Sequence, residues 1–333
     1  MKILVVYYGN RSSFIEMDIE ILSRHHSVVE LGLCRKVDVS RLFGSIMDAD
    51  LVFVWFAGKH AGISVLLAGF LHKASIVVVG GYDAARVPEI GYGLWAVGGP
   101  LDKALARLAL KRAGRVLVVD PSLKDDLVRN GGINGSNVDY VPTGYDYNYW
   151  VPYSEKEDIV LTVGEANWTN IRRKGFETFV RAAAYVPEAR FVLAGKHADD
   201  SIEYLRSISP QNVEFTGWLS REELRDLYGR AKVYCQLSLY EELPNALCEA
   251  MLGGCVPVGT RRNGIPTAIG DTGFYVPYGD PEATAEAVKK ALRAPREQGL
   301  RARQRIKSLF PLERREKELL KIINELILKE RRA

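Results

Sequence analysis

The chain has only four cysteines in 333 residues, Cys34, Cys235, Cys248 and Cys255. Their spacing matches no metal-ligand set, and they read as reduced core thiols of a cytoplasmic protein. No apolar run reaches the roughly 18 residues that a membrane span needs. The nearest, Ala61 to Leu71, stops at His72-Lys73 and reads as a buried helix. The N-terminal run Met1 to Val6 reads as a first strand and is too short for a secretory signal. Neither charge sign dominates: 45 Lys+Arg face 41 Asp+Glu, a net +4, and no nucleic acid partner is expected. Hydrophobic residues make up 47%, with 30 Gly and 14 Pro, which excludes disorder and collagen-like repeats. A chain of this length buries a large core without disulfides or metals.

The small net charge is unevenly placed. Residues 293–332 hold 13 Lys+Arg against 6 Asp+Glu, a local +7 that leaves −3 elsewhere. This basic tail suits either a solvated helix face or attraction to an anionic membrane or a phosphate-bearing substrate.

Strand-like runs rich in Val and Ile alternate with helix-period segments. Lys2 to Tyr8 is followed by an amphipathic stretch, Phe14 to His25, with Phe14, Met17, Ile21 and Leu22 on one face. Asp18 shares that face, and the sequence offers no partner for it. Further strands are predicted at 27–33, 50–56, 75–81, 115–120 and 138–141. Their continuous apolar character is that of parallel strands buried on both faces. The alternation pauses over Gly144 to Lys156 and restarts with strands at 158–164, 189–195, 212–217, 232–238 and 255–260. Ser220 to Glu223 is a capping box, and Asp280-Pro281 opens another helix. The pattern predicts an α/β chain of two Rossmann-like domains, 1–150 and 151–311. A last helix over Leu312 to Arg332 is free to join either one, the first being favoured. Ligands of such sheets bind beyond the carboxyl ends of the strands, so a cleft between two facing sheets is the expected site.

The richest segment is Ser238 to Met251. A strand ends in a polar turn and a helix begins near Pro244, whose free N–H groups offer an anion site. Glu241 lies ahead of that helix and Glu249 more than a turn inside it. Two carboxylates so placed can accept hydrogen bonds from two hydroxyl-bearing groups with an anion between them. A sugar, a diphosphate and a ribose fit that order.

This segment resembles the retaining GT-B glycosyltransferases, the large Glu-x7-Glu family also called glycosyl transferases group 1, which holds sucrose, trehalose and phosphatidylinositol mannosyl synthases. Glu241 and Glu249 have the family spacing, followed by Ala250-Met251-Leu252-Gly253-Gly254-Cys255-Val256-Pro257-Val258. The resemblance continues through Lys174-Gly175-Phe176, Leu193-Ala194-Gly195, Phe215-Thr216-Gly217, Asn263-Gly264-Ile265-Pro266, Thr272-Gly273-Phe274 and Gly279-Asp280-Pro281-Glu282. It implies that Glu249 holds the ribose hydroxyls and Glu241 those of the donor sugar. The N–H groups of Leu243 and Asn245 would help, and Lys174 would neutralise the diphosphate.

The departures are specific. The family carries Arg after Val-Gly, where this chain has Glu165; Arg172 or Arg173 would have to supply the cation, and Arg173 is favoured beside Lys174. Glu242 stands where the family prefers Gly or Ser, and Thr267 replaces a common Glu.

The first half resembles the family only in layout. Gly9 opens the loop after the first strand, on the donor side, without a G-x-G-x-x-G fingerprint. Where relatives carry a His-Asp pair, this chain has Tyr82-Asp83; both residues suit either a sugar or acceptor contact or a structural turn. His60, after the third strand, is a further candidate for catalysis or acceptor binding, and equally for a structural place. Thr143-Gly144-Tyr145-Asp146 resembles the turn ahead of the family's interdomain hinge. Lys103, Arg107 and Lys111 line one face of a helix whose other face carries Leu101, Leu105 and Leu108, a pattern shared by ordinary surface helices and membrane-surface helices.

The implied activity is retaining, metal-independent transfer of a hexosyl group from a nucleotide-diphosphate sugar to a glycan or lipid-linked acceptor. The catalytic candidates are Glu241, Asp83, Tyr82 and His60, and the donor-binding ones Lys174, Arg173, Glu241, Leu243, Asn245, Glu249 and Gly9. No metal site is expected, since Asp125-Asp126 and Asp199-Asp200 read as surface or helix-start acids. No cofactor is expected beyond the donor itself. A nucleotide-sugar isomerase or hydrolase, and a catalytically weak nucleotide-sugar-binding protein, are the rival readings. The location expected is cytoplasmic, with peripheral contact at the inner face of a membrane as one form of it.

Overall fold

A computed structural model describes residues 1–34 and 37–330. The expected last helix therefore has its final residues, 331 and 332, outside the described part. The chain forms two compact units, one of residues 1–143 with 313–333 and one of residues 144–312.

In the first unit, strands and helices follow as β1 (Lys2–Tyr8), α1 (Ser13–Ser23), β2 (Ser27–Leu33), α2 (Val39–Met47), β3 (Leu51–Trp55), α3 (Lys59–Phe70) and β4 (Ala74–Val79). Then come α4 (Leu94–Val97), α5 (Pro100–Arg112), β5 (Arg115–Val118), α6 (Pro121–Asp126) and β6 (Val138–Tyr140). The sheet is parallel in the order β2-β1-β3-β4-β5-β6. Every residue of β3 and β4 is buried, as continuous apolar runs covered on both faces require. The order reverses between β1 and β3, and that is where the strand ends open a crevice.

The second unit contains β7 (Glu157–Val163), α7 (Trp168–Lys174), α8 (Phe176–Ala183), β8 (Arg190–Ala194), α9 (Ser201–Ser207), β9 (Val213–Gly217), α10 (Arg221–Arg230) and β10 (Ala231–Gln236). It continues with α11 (Asn245–Leu252), β11 (Val256–Thr260), α12 (Ile265–Ile269), β12 (Phe274–Val276), α13 (Pro281–Arg293) and α14 (Arg296–Leu309). Its parallel sheet runs β12-β11-β10-β7-β8-β9, the doubly wound dinucleotide order, with the switch point between β7 and β10. Phe176, Phe179, Phe191, Val233 and Val258 fill the core beneath it. The capping box at Ser220 and Glu223 opens α10. β12 is one strand more than the five the apolar runs predict, because three residues are too short to carry a period.

The last helix, α15 (Leu312–Glu330), packs in the first unit. Arg315 on α15 reaches Asp18 on α1, which supplies the partner that Asp18 lacked in sequence. The division at 143/144, ahead of the expected 150, also has a physical reason. Tyr145 donates its hydroxyl to Asn245 at 2.7 Å, Arg303 holds the carbonyls of Tyr147, Trp150 and Leu252, and Trp150 packs edge-on against Tyr228.

Two further expectations are corrected. Cys34 is exposed at the end of β2, unlike the other three cysteines. The apolar helix α3 is not buried all round: it covers the sheet with one face and leaves Leu66 and Phe70 48% and 75% exposed. Among the described residues no helix is long and apolar enough to cross a membrane.

Candidate active site

At the switch point of the second sheet, α7 follows β7 and brings two cations to the turn that follows β10. Asn167 caps α7, accepting from the Asn170 N–H at 2.8 Å. Asn170 then accepts from Arg173 Nε and Nη2 at 3.2 and 3.1 Å and so aims that guanidinium. Gly175 ends α7 in the left-handed region, at φ +69°, where its missing side chain lets the chain pass close to the Leu237 carbonyl. The Leu239 N–H donates to the Arg173 carbonyl at 2.8 Å, which ties the end of α7 to the turn after β10. The Lys174 side chain runs over Gly164, where a Cβ would stand 2.8 Å from its Cδ.

Both cations converge on Glu241. Arg173 Nη1 donates to Oε2 at 2.9 Å and Lys174 Nζ to Oε1 at 3.0 Å, with all three side chains largely buried. Beneath them lies a buried polar chain, in which Gln236 Nε2 donates to Ser238 Oγ at 2.8 Å and Thr260 Oγ1 to the Ser238 carbonyl at 2.6 Å. Burial pulls the Glu241 pKa up, but Lys174 and Arg173 outweigh it and hold the carboxyl below its ordinary value. Arg172 is exposed and uses its carbonyl to accept from Tyr278. Glu165 is also exposed, its carboxylate accepting from Asn167 Nδ2 at 2.9 Å within its own loop.

On the other side of Glu241, no side chain caps α11. The N–H groups of its first turn, from Asn245 onward, therefore have no acceptor within the helix. Leu243 is buried in the turn ahead of it. Glu249, one turn in, is partly buried, and burial pushes its pKa to about 8 although Arg221 and Tyr228 pull the other way. Glu241, with its two cations, thus lies just ahead of an uncapped helix start and Glu249 one turn inside it, an arrangement of charges and free N–H groups suited to an anion. Asn170, Gln236, Ser238, Arg221 and Tyr228 were not legible as site residues. Only Asn170, three residues before Arg173 on one helix, had a usable signal.

The first unit's candidates lie at the ends of its own strands. Gly9 follows β1 at φ +83°. His60 begins α3 and stacks on Tyr8 with ring centroids 5.7 Å apart; its Nε2 lies 2.8 Å from the Trp55 carbonyl, and burial lowers its pKa. Asp83 is buried and accepts from the Ala57 N–H at 2.7 Å and the Gly80 N–H at 3.0 Å, clasping the segments after β3 and β4. Burial raises its pKa to about 6, against the pull of those N–H groups. Tyr82 is 45% exposed and meets Tyr92 edge-on. On α5 the basic stripe is broken up. Arg107 donates to the Gly131 carbonyl at 2.7 Å and lies over Trp95, while Lys111 is exposed.

Two doubly wound parallel α/β units of this strand order are the GT-B fold. Residues 157–294, from the first residue of β7 through α13, match the family Glycosyl transferases group 1. Among curated proteins, the chain is 29% identical over 160 residues to alpha-galactosylglucosyldiacylglycerol synthase of Streptococcus pneumoniae, covering 42% of this chain and 41% of that one. It is 26% identical to alpha-maltose-1-phosphate synthase of Mycolicibacterium smegmatis, covering 75% and 72%. The chain spans less than half the length of five of the curated relatives it matches. Among solved structures, Anabaena HepE in complex with UDP superposes with a TM-score of 0.83 at 14% identity, over 98% of this chain and 100% of that one. Sucrose-phosphate synthase from Thermosynechococcus elongatus gives 0.77 at 17% identity, over 98% and 99%.

Proposed function

We propose that this chain transfers a hexosyl group from a nucleotide-diphosphate sugar to a glycan or lipid-linked acceptor, with retention at the anomeric carbon and without a metal ion. The observation that carries the reading is the convergence of Arg173 and Lys174 on Glu241 beside the uncapped start of α11. A donor diphosphate is the natural competitor for those two cations. On its arrival they exchange the carboxylate for phosphate oxygens, and Glu241 is released to accept hydrogen bonds from the hexose. The N–H groups of Leu243 and Asn245 take the remaining charge, and Glu249 takes the ribose. Arg173 and Lys174 then stabilise the leaving diphosphate, the role a divalent cation fills in other transferases. The leaving phosphate oxygen accepts the acceptor's proton on the same face of the sugar, which gives retention.

In the first unit, Asp83 and His60 act as positioning residues in this reading, and Tyr82 is the side chain free to touch the acceptor. Gly9 leaves room beside β1, since a Cβ there would meet nothing within 4 Å. The relatives whose names specify lipid products support a lipid-linked acceptor, and HepE with UDP supports a uridine donor. Peripheral contact with an anionic membrane also belongs to the reading, supported by the exposed apolar residues of α3 and α5 and the basic end beside them.

The test is a thermal-shift panel of UDP-, GDP- and ADP-sugars against wild type, Glu249→Ala and Lys174→Ala. A donor raises the midpoint by mass action, by about 2.7 kcal/mol of stability at a hundredfold excess over Kd. The shift should be present in wild type and much reduced in both variants. Absence of a shift with every nucleotide sugar would sink the transferase reading. Consumption of donor without acceptor would instead identify a hydrolase or isomerase.

A further inference from the structure

We infer that Glu242 is a specificity-determining residue of the donor site, its carboxyl bonding to a hydroxyl group of the transferred hexose. This rests on the nucleotide-sugar reading above and goes one residue beyond it, to a position where the chain departs from the family's Gly or Ser.

Glu242 follows Glu241 in the turn between β10 and α11, and the two acids are treated differently. Glu241 is matched by two cations. Glu242 keeps its Oε2 buried with no hydrogen-bond partner. Buried polar atoms in folded proteins are nearly always paired, so an orphaned carboxyl oxygen calls for a partner that arrives later.

The position is not free to relax. Gly264 lies so close to the Glu242 carbonyl that a Cβ there would stand 2.0 Å from the oxygen, and the Gly264 N–H reaches the Glu241 carbonyl at 3.4 Å. The turn is thus wedged by the start of α12, and the residue's own backbone N–H acts on the carboxyl while Oε2 stays without a partner. Arg173 and Lys174 both act on the Glu242 carboxyl through charge, which places it in the field that would hold the diphosphate. Burial and the charge of Glu241 raise its pKa to about 7, so the group is able to donate or accept a hydrogen bond near neutral pH. A hexose hydroxyl, itself both donor and acceptor, suits either form. Gly or Ser at this position would leave that hydroxyl to water.

The experiment compares wild type, Glu242→Gly and Glu242→Gln by calorimetry. The probes are UDP, UDP-glucose, UDP-galactose, UDP-N-acetylglucosamine and UDP-xylose, or the same sugars on whichever base the panel above selects. A hydrogen bond to a charged group corresponds to about 10-fold or more in affinity. Wild type should therefore separate its best and worst sugars by about 10-fold or more, on the same ground. Glu242→Gly should collapse that spread while changing affinity for the nucleoside diphosphate alone by less than about twofold, because the diphosphate contacts remain. The isosteric Glu242→Gln should keep part of the spread and serves if the glycine variant folds poorly. An unchanged spread in both variants, with nucleoside diphosphate binding intact, overturns the assignment and leaves the donor site standing. Failure of wild type to bind any nucleoside diphosphate overturns the site reading, and the role of Glu242 with it.

Discussion

Arg315 and Asp18, far apart in sequence, form a two-point ion pair with no solvent exposure, Nε to Oδ1 at 2.5 Å and Nη2 to Oδ2 at 2.7 Å. Trp55 Nε1 adds a bond to Asp18 at 3.1 Å, and Arg315 Nη1 donates to the carbonyls of Val141 and Pro142, each at 3.0 Å. One guanidinium thus joins α15, α1 and the segment after β6. Removing one partner of such a pair strands a buried charge, so Asp18→Ala should cost about 3–5 kcal/mol. The double change Asp18→Leu with Arg315→Met should recover much of that loss, since a packed apolar pair is often no less stable than a buried ionic one. Denaturant midpoints with unchanged slopes check this. A single-variant loss below about 1 kcal/mol would mean that α15 is held by its apolar face alone.

That pair also marks where sequence reading stops. The strands were legible because their Val- and Ile-rich runs are local. So were Glu241, Glu249 and Lys174, which lie within short contiguous strings. Asp18 was visible as an anomaly on an apolar face, but its partner lies at the other end of the chain and no period connects them. The preference for Arg173 over Arg172 rested on adjacency, whereas in the structure Asn170 aims Arg173 at Glu241 and Arg172 faces outward. β12 escaped because three residues carry no period, and the outward face of α3 because a nearly continuous apolar run hides which side meets the sheet.

Gly175 offers a local test of how Lys174 is positioned. An alanine Cβ there would stand 2.4 Å from the Leu237 carbonyl oxygen, at a φ of +69°. Gly175→Ala should lose more than about 1 kcal/mol of stability, through strain in the left-handed region and displacement of the backbone. Because Lys174 precedes it directly, nucleotide affinity should fall as well. Gly44→Ala on α2 is the counterpart: a Cβ there meets nothing within 4 Å, and the change should stabilise by about 0.5–1 kcal/mol. Thermal midpoints and nucleotide titrations of the two variants should move in opposite senses for stability and differ for binding.

The raised pKa of Glu249 sets the direction of two pH dependences. Its folded value of about 8 lies above the ordinary 4.5. The folded state therefore holds this proton more tightly than the unfolded chain, and stability linked to the group is complete below pH 4.5 and falls as pH rises through about 8. Glu249→Gln should remove that loss and be the more stable form, relative to wild type, at pH 9 than at pH 6. Binding should run the other way if the carboxylate is the form that takes two ribose hydroxyls. Nucleotide affinity in wild type would then rise with pH up to about 8 and level off, while Glu249→Gln lacks that rise and keeps only the titrations of the nucleotide and of Glu242. Parallel pH profiles in the two proteins would remove Glu249 from the ribose site.

The first unit carries the features that bear on membrane contact. Lys59 pairs with Asp102 at 3.0 Å and Gly62 packs against Leu105, so α3 and α5 run side by side in matched register. Leu66, Phe70 and Leu101 are left exposed along them, and the register brings Phe70 level with the exposed Lys111 and Arg112. In the proposed membrane-contact reading, these apolar residues and the basic residues beside them meet the interface of an anionic bilayer. Burying a phenylalanine side chain gains about 1.5–3 kcal/mol, so Phe70→Ser should weaken partition onto vesicles by about 10-fold or more. Lys111→Glu with Arg112→Glu should abolish the preference for phosphatidylglycerol over phosphatidylcholine vesicles, and salt should mimic that change in wild type. Arg107→Ala should instead lower stability, because its guanidinium is committed to Gly131 and Trp95. Cosedimentation that is equal for wild type and Phe70→Ser, or indifferent to lipid charge, would assign the strip to some other partner.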